Sequence, residues 1–77
     1  MDFKNVLSNM VNPIVDNPDE VSISMTERDD TVILVLNVAK EDMGKVIGKH
    51  GRTARALRTV VKSAANTVNK KVMIEIR

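Results

Sequence analysis

The sequence predicts an α+β fold with three helices on one face of a three-stranded mixed sheet, in the order helix, strand, strand, helix, helix, strand. Three observations carry that prediction. Apolar residues recur at helical spacing in two long segments and alternate with polar ones in three short segments. A further short segment opens with Lys40-Glu41-Asp42, whose acids suit a helix N-terminus. The connection between the second and third strands therefore holds two helices, long enough for a right-handed crossover that lays the third strand parallel to the second.

Taken in order, Phe3, Val6, Leu7, Met10, Val11, Ile14 and Val15 describe an amphipathic first helix over residues 2–15. Pro13 falls inside it, and proline in a helix interior costs about 3 kcal/mol. The helix either kinks there or stops near Val11 and resumes as a single turn. Asp16-Asn17-Pro18-Asp19 is turn chemistry and ends the segment. Val21, Ile23 and Met25 alternate with Ser22, Ser24 and Thr26, the pattern of a half-buried strand, and Arg28-Asp29-Asp30 makes a hairpin turn. From Thr31 to Val38 apolar residues fall on both faces, with Val32, Leu34, Leu36 and Val38 on one and Ile33 and Val35 on the other. Such a strand belongs at the centre of its sheet.

A short helix follows from Ala39 to about Ile47, then the loop Gly48-Lys49-His50-Gly51. A long helix runs from Arg52 to about Asn69, with Leu57, Val60, Val61, Ala64, Ala65 and Val68 inward. Arg52, Arg55, Arg58 and Lys62 fall on roughly the opposite side. Lys71 to Arg77 closes the chain as a third strand, Val72, Ile74 and Ile76 alternating with Met73 and Glu75. The face without helices then carries Ser22, Ser24 and Thr26 with the apolar trio Ile33, Val35 and Met73, a candidate contact surface.

A length of 77 residues allows one domain over 1–77. A core of that size buries only about 60% of the unfolded surface. Without cysteine, neither a disulfide nor a thiolate metal site adds stability. A second subunit is then the ordinary source of further buried area. No apolar run approaches the roughly 20 residues of a membrane span. Met1-Asp2-Phe3-Lys4-Asn5 lacks the basic-then-apolar order of a signal peptide, so the expected compartment is the cytoplasm. Formal net charge is only +2, but residues 1–39 hold two basic against seven acidic residues and residues 40–77 hold ten against three. That asymmetry suggests a polyanion as partner of the C-terminal half.

The Gly48–Gly51 loop is where the sequence concentrates chemistry. It holds two of the three glycines, with Lys49 and His50 between them. Glycine lets backbone approach another chain closely and tolerates positive φ. Gly51 also opens a helix, whose first-turn N–H groups attract phosphate. A loop of this kind suits a nucleic-acid backbone. It is not a Walker A loop, because no glycine stands five residues before a Gly-Lys followed by Ser or Thr. One histidine and no cysteine leave no nucleophile–base pair or metal constellation, and the reading is non-enzymatic, with no cofactor. Phe3 is the only aromatic residue and belongs to the first helix. Folds that stack bases on exposed rings are thereby disfavoured, leaving backbone, cationic and aliphatic contacts.

The segment from Gly44 to Leu57 resembles the VIGxxGxx core of KH domains, and the inferred element order is similar to the type II KH arrangement. VIGKHGRTARALRTVV together with the early PIVDNPDEV resembles the small single-KH bacterial proteins of the KhpA (YlqC) type. The resemblance covers the whole chain. It implies that Gly48, Lys49, His50 and Gly51 clamp the backbone of about four nucleotides of single-stranded RNA. It also implies a groove lined by Val46, Ile47, Ala54 and Leu57, with Arg52 and Arg55 along the phosphate path. Many KH domains have a bulkier aliphatic residue where this chain has Ala54, which bears on groove depth. The family further implies RNA-chaperone or post-transcriptional work, a homodimer or a heterodimer with a Jag-type KH protein, and links to cell elongation, cell shape and peptidoglycan homeostasis. The rival reading is a protein–protein adaptor with a KH fold and no RNA binding of its own.

Overall fold

The computed structural model describes residues 2–77, and among them the elements appear in the expected order. Helix α1 spans Phe3–Val11, strand β1 Ser22–Arg28, strand β2 Thr31–Asn37, helix α2 Met43–Ile47, helix α3 Arg52–Asn66 and strand β3 Lys71–Ile76. Short 3₁₀ turns at Pro18–Glu20, Lys40–Asp42 and Lys49–Gly51 link them. The sheet order is β1-β2-β3, β1 antiparallel and β3 parallel to β2. β2 is therefore central, as its two apolar faces require.

Register and burial fix which face the helices cover. Val32, Leu34 and Leu36 are fully enclosed, joined by Val72 and Ile74 from β3 and by Leu7 and Val11 of α1. On the other face Ser24 pairs with Val35, and Ile33 pairs with Thr26 on one side and Met73 on the other. Met73 there is 59% exposed. The open apolar trio is therefore present as the alternation demands.

Of the two courses expected at Pro13 the chain takes the second, whereas the end of α3 and the width of its buried face differ from expectation. α1 stops at Val11, because Pro13 cannot continue the ladder. The chain closes with Ile14 and Val15 N–H groups both reaching the Val11 carbonyl. α3 ends at Asn66 rather than Asn69. Its final turn tightens to i→i+3 bonds, and Asn69 adopts φ 57°. That left-handed residue lets the Lys70 N–H return to the Ala65 carbonyl, the ordinary way to stop a helix. The buried line of α3 is also narrower than the apolar pattern suggests. Ala54, Leu57, Val61 and Ala65 are buried, whereas Val60 is 49% exposed, and Val68, past the helix end, is 40% exposed. One helix on the edge of a three-stranded sheet has room to bury only one row. For the same reason Met25 on edge strand β1 is exposed, while Ile23 still packs against the core.

Candidate nucleic-acid interface

The loop between α2 and α3 is shaped by left-handed backbone. Gly48 ends α2 at φ 77°, ψ 174°. His50 and Gly51 follow at φ 57° and φ 73°. Two consecutive left-handed residues, one of them not glycine, are uncommon, and strain of this kind concentrates at functional sites. Gly48 is required by space as well: an added Cβ would lie 2.2 Å from Thr53 Oγ1 and 2.9 Å from Thr53 N. The turn is closed by Gly51 N–H to the Gly48 carbonyl at 3.1 Å and by Arg52 N–H to the Lys49 carbonyl. Neither bond uses the N–H of Lys49 or His50. Gly51 also gives α3 no side-chain cap. The Lys49 and His50 N–H groups and the first-turn donors of α3 after Arg52 are thus available to an anion.

Lys49, His50, Arg52 and Arg55 are exposed around these donors, with Gly48 and Gly51 half-buried between them. Ile47 is 41% exposed beside the loop. Val46, Ala54 and Leu57 are placed differently from the expected groove lining. Val46 is fully enclosed, and Ala54 and Leu57 are 4% and 5% exposed. Ala54 and Leu57 share the line that continues to Val61 and Ala65, so they face the sheet. Of the four aliphatic residues expected to line a groove, only Ile47 presents appreciable surface, and the other three support the loop from beneath.

The open groove lies further along. A cleft of about 210 Å³ runs between α3 and the edge of β3, lined by Arg58, Lys62, Val72, Met73 and Ile74. It continues into a second hollow of about 350 Å³ reached by Lys62, Asn66, Lys70 and Lys71. At about 100° per residue Arg58 and Lys62 fall on the β3 flank of α3, and only Arg52 lies opposite the buried line. The β3 edge was not legible as a site, because two elements distant in sequence form it. The Lys70-Lys71 pair at the strand start was the available hint.

Charge pairing distinguishes these cations from the others. Between Asp42 and Glu75 the chain has no acidic residue. Lys45 pairs with Asp16 and Lys70 with Glu27. The hydrogen bond to Asp16 raises Lys45 above its ordinary 10.5, outweighing its lost solvation, and the Asp16 and Asp42 charges add to it. Among the described residues Lys49, Arg52, Arg55, Arg58 and Lys62 have no carboxylate partner. No group of three metal-ligating side chains occurs among the described residues, and no helix there is long and apolar enough to cross a membrane.

Element order, the parallel β2–β3 pair and a glycine-bounded basic loop between two helices define a KH domain of the type II arrangement. A family model described as KhpA/KhpB, KH domain matches residues 4–76. The chain is 52% identical over 74 residues to the RNA-binding protein KhpA of Clostridium acetobutylicum, covering 96% of this chain and 99% of that one. It is 45% identical to the RNA-binding protein KhpA of Bacillus subtilis, with 96% and 91% covered. The protein of the same name from Chlamydia caviae is also 45% identical, with 96% and 95% covered. The chain belongs to the KhpA/KhpB family of KH domains.

Proposed function

We propose that this chain is a single KH unit that binds single-stranded RNA without catalysing a reaction, as an RNA chaperone or post-transcriptional regulator. The observation that carries the reading is the run of unpaired cations from Lys49 through Arg52, Arg55 and Arg58 to Lys62, which starts at the left-handed loop. Phosphates would meet the loop N–H groups, the uncapped start of α3 and Lys49, with His50 beside them. Arg55, Arg58 and Lys62 would then carry the backbone along the cleft, with Ile47 and the β3 edge as aliphatic surface for bases. Gly48 and Gly51 permit the close approach, while Val46, Ala54 and Leu57 hold the loop from below. The names of the relatives support RNA as the polyanion.

One unit offers few contacts, so useful affinity comes from pairing two units, which raises the effective concentration at the second site. A homodimer or a heterodimer with a Jag-type KH protein, acting in the cytoplasm in cell elongation and envelope growth, is the context the family resemblance supports. The adaptor reading draws on a different observation, the open face with Ile33, Val35 and Met73.

Fluorescence anisotropy of a labelled short single-stranded RNA tests the proposal, with the Lys49→Asp/His50→Asp variant beside wild type and circular dichroism to confirm folding. Wild-type binding with at least about a tenfold loss in the folded variant is expected, since Lys49→Asp replaces a phosphate contact with a repulsion and His50→Asp adds a second negative charge beside it. Equal binding by both proteins would move RNA away from the loop. Binding by neither would favour the adaptor.

A further inference from the structure

Asp42 is the one buried charged side chain among the described residues, and it lies one short helix before the loop. Its carboxylate accepts three hydrogen bonds from a segment 25 and 26 residues earlier in the chain. They come from Asp16 N–H at 3.1 Å, Asn17 N–H at 2.9 Å and Asn17 Nδ2 at 3.1 Å. A carboxylate withdrawn from water is costly unless its lone pairs are filled, and here three donors fill them. Two neighbours reinforce the joint: Asn17 Nδ2 also reaches Glu41 Oε1 at 3.4 Å, and Lys45 pairs with Asp16. Residues 41, 42 and 45 are all tied to the same two-residue stretch between α1 and β1.

The position of this joint matters because α2 has only five residues and buries only Val46. A helix that short does not hold its own place. One apolar peg, with α3 alongside, leaves it able to pivot, and a second fixed point at its N-terminal end removes that freedom. Gly48 follows α2 directly, so the angle of α2 is the angle of the loop.

We propose that the Asp42 carboxylate and the Asp16–Asn17 backbone form a latch that orients the Gly48–Gly51 loop, which makes Asp42 a positioning residue for nucleic-acid binding. The inference rests on the proposed function for its RNA consequence, while its consequence for loop geometry is independent of RNA. Asp42→Asn preserves volume but exchanges one acceptor oxygen for a donor, so both N–H groups can no longer be served. Asn17→Asp attacks the same joint from the other side, removing a donor and adding a like charge.

The experiment compares RNA anisotropy with amide NMR spectra of wild type and both variants, at a temperature where circular dichroism shows them folded. In Asp42→Asn, RNA binding should weaken at least about tenfold. The Lys49, His50 and Gly51 amide signals should move and exchange faster with solvent, and those of Val32 and Leu34 should stay in place. Asn17→Asp should move the same loop signals in the same direction by less, and it decides the matter if Asp42→Asn does not fold. Unmoved loop amides with wild-type RNA affinity would overturn the latch. So would a loosening spread equally over loop and sheet, which marks a merely structural role. If wild type binds no RNA, the RNA reading fails alone, and the amide comparison still decides the latch.

Discussion

A methyl group at Gly48 is the sharpest single perturbation that the loop offers. Its Cβ would lie 2.2 Å from Thr53 Oγ1, 2.7 Å from Thr53 Cβ and 2.9 Å from Thr53 N. The hydroxyl can rotate away, but the Cβ and N atoms belong to the first turn of α3 and move only if the helix does. Overpacking of this kind costs about 1–3 kcal/mol. The backbone at φ 77°, ψ 174° lies in a region essentially reserved for glycine. A side chain there adds about 1–3 kcal/mol. The sum centres near about 4 kcal/mol, against a total stability of roughly 4–12 kcal/mol for a chain of this length.

Gly51→Ala is the control. Its φ of 73° is also positive, but nothing lies within 4 Å of an added Cβ. Only the left-handed penalty of about 1–2 kcal/mol applies. At roughly 4–8 °C per kcal/mol for a domain of this size, Gly48→Ala should lower Tm by about 15–30 °C and Gly51→Ala by about 5–15 °C. Thermal unfolding followed by far-UV circular dichroism measures both. Equal losses, or a larger loss at Gly51, would refute the argument that Thr53 excludes a side chain at Gly48.

Two further outcomes follow from charge. Arg58→Ala and Lys62→Ala should each flatten the dependence of log affinity on log salt by about 0.7 for single-stranded RNA, with little change in Tm. Anisotropy titrations at several salt concentrations read this, and an unchanged slope would exclude the cleft from the phosphate path. For Asp42, burial pushes the carboxyl pKa up. Hydrogen bonds from Asp16 N–H, Asn17 N–H and the Asn17 side chain, with the Lys45 charge, outweigh burial and hold it below its ordinary 3.8. A depressed folded pKa contributes stability that is full above 3.8 and lost as pH falls through the folded value. Wild-type Tm should therefore drop below pH 3.8 more steeply than that of Asp42→Asn, and parallel curves would contradict the latch.

The element order was legible because period 2 and period 3.6 are properties of neighbouring residues, and β2 could be placed centrally from Ile33 and Val35 alone. The width of a buried face was not. Val60 fits an apolar helix face as well as Leu57 does, and only the single row of space beside β3 decides between them, while Val68 falls past the helix end at Asn66. The loop could be read from Gly48 and Gly51, since positive φ calls for glycine. The left-handed His50 could not, because histidine carries no such requirement. Asp42 was visible only as an early-helix acid. Its partners are backbone N–H groups of Asp16 and Asn17, which every residue but proline possesses, so no side-chain pattern announces the joint.

The placement of the acids also shapes the basic surface. Asp16 occupies Lys45 just before the loop, and Glu27 occupies Lys70 just after α3. Exposed pairs like these add little stability, typically about 0–1 kcal/mol. Their effect is on electrostatics, since they neutralise Lys45 before the loop and Lys70 after α3, while Lys71 at the second hollow has no carboxylate partner among the described residues. What remains between them runs from Lys49 to Lys62, and the stretch from Arg52 to Lys62 rises about 15 Å along the α3 axis. A net charge of +2 conceals this, because the acids that lower the total lie outside the stretch from 43 to 74. On the proposed reading, a run of unpaired cations this short would contact only a few phosphates, and affinity would then come from pairing with a second unit.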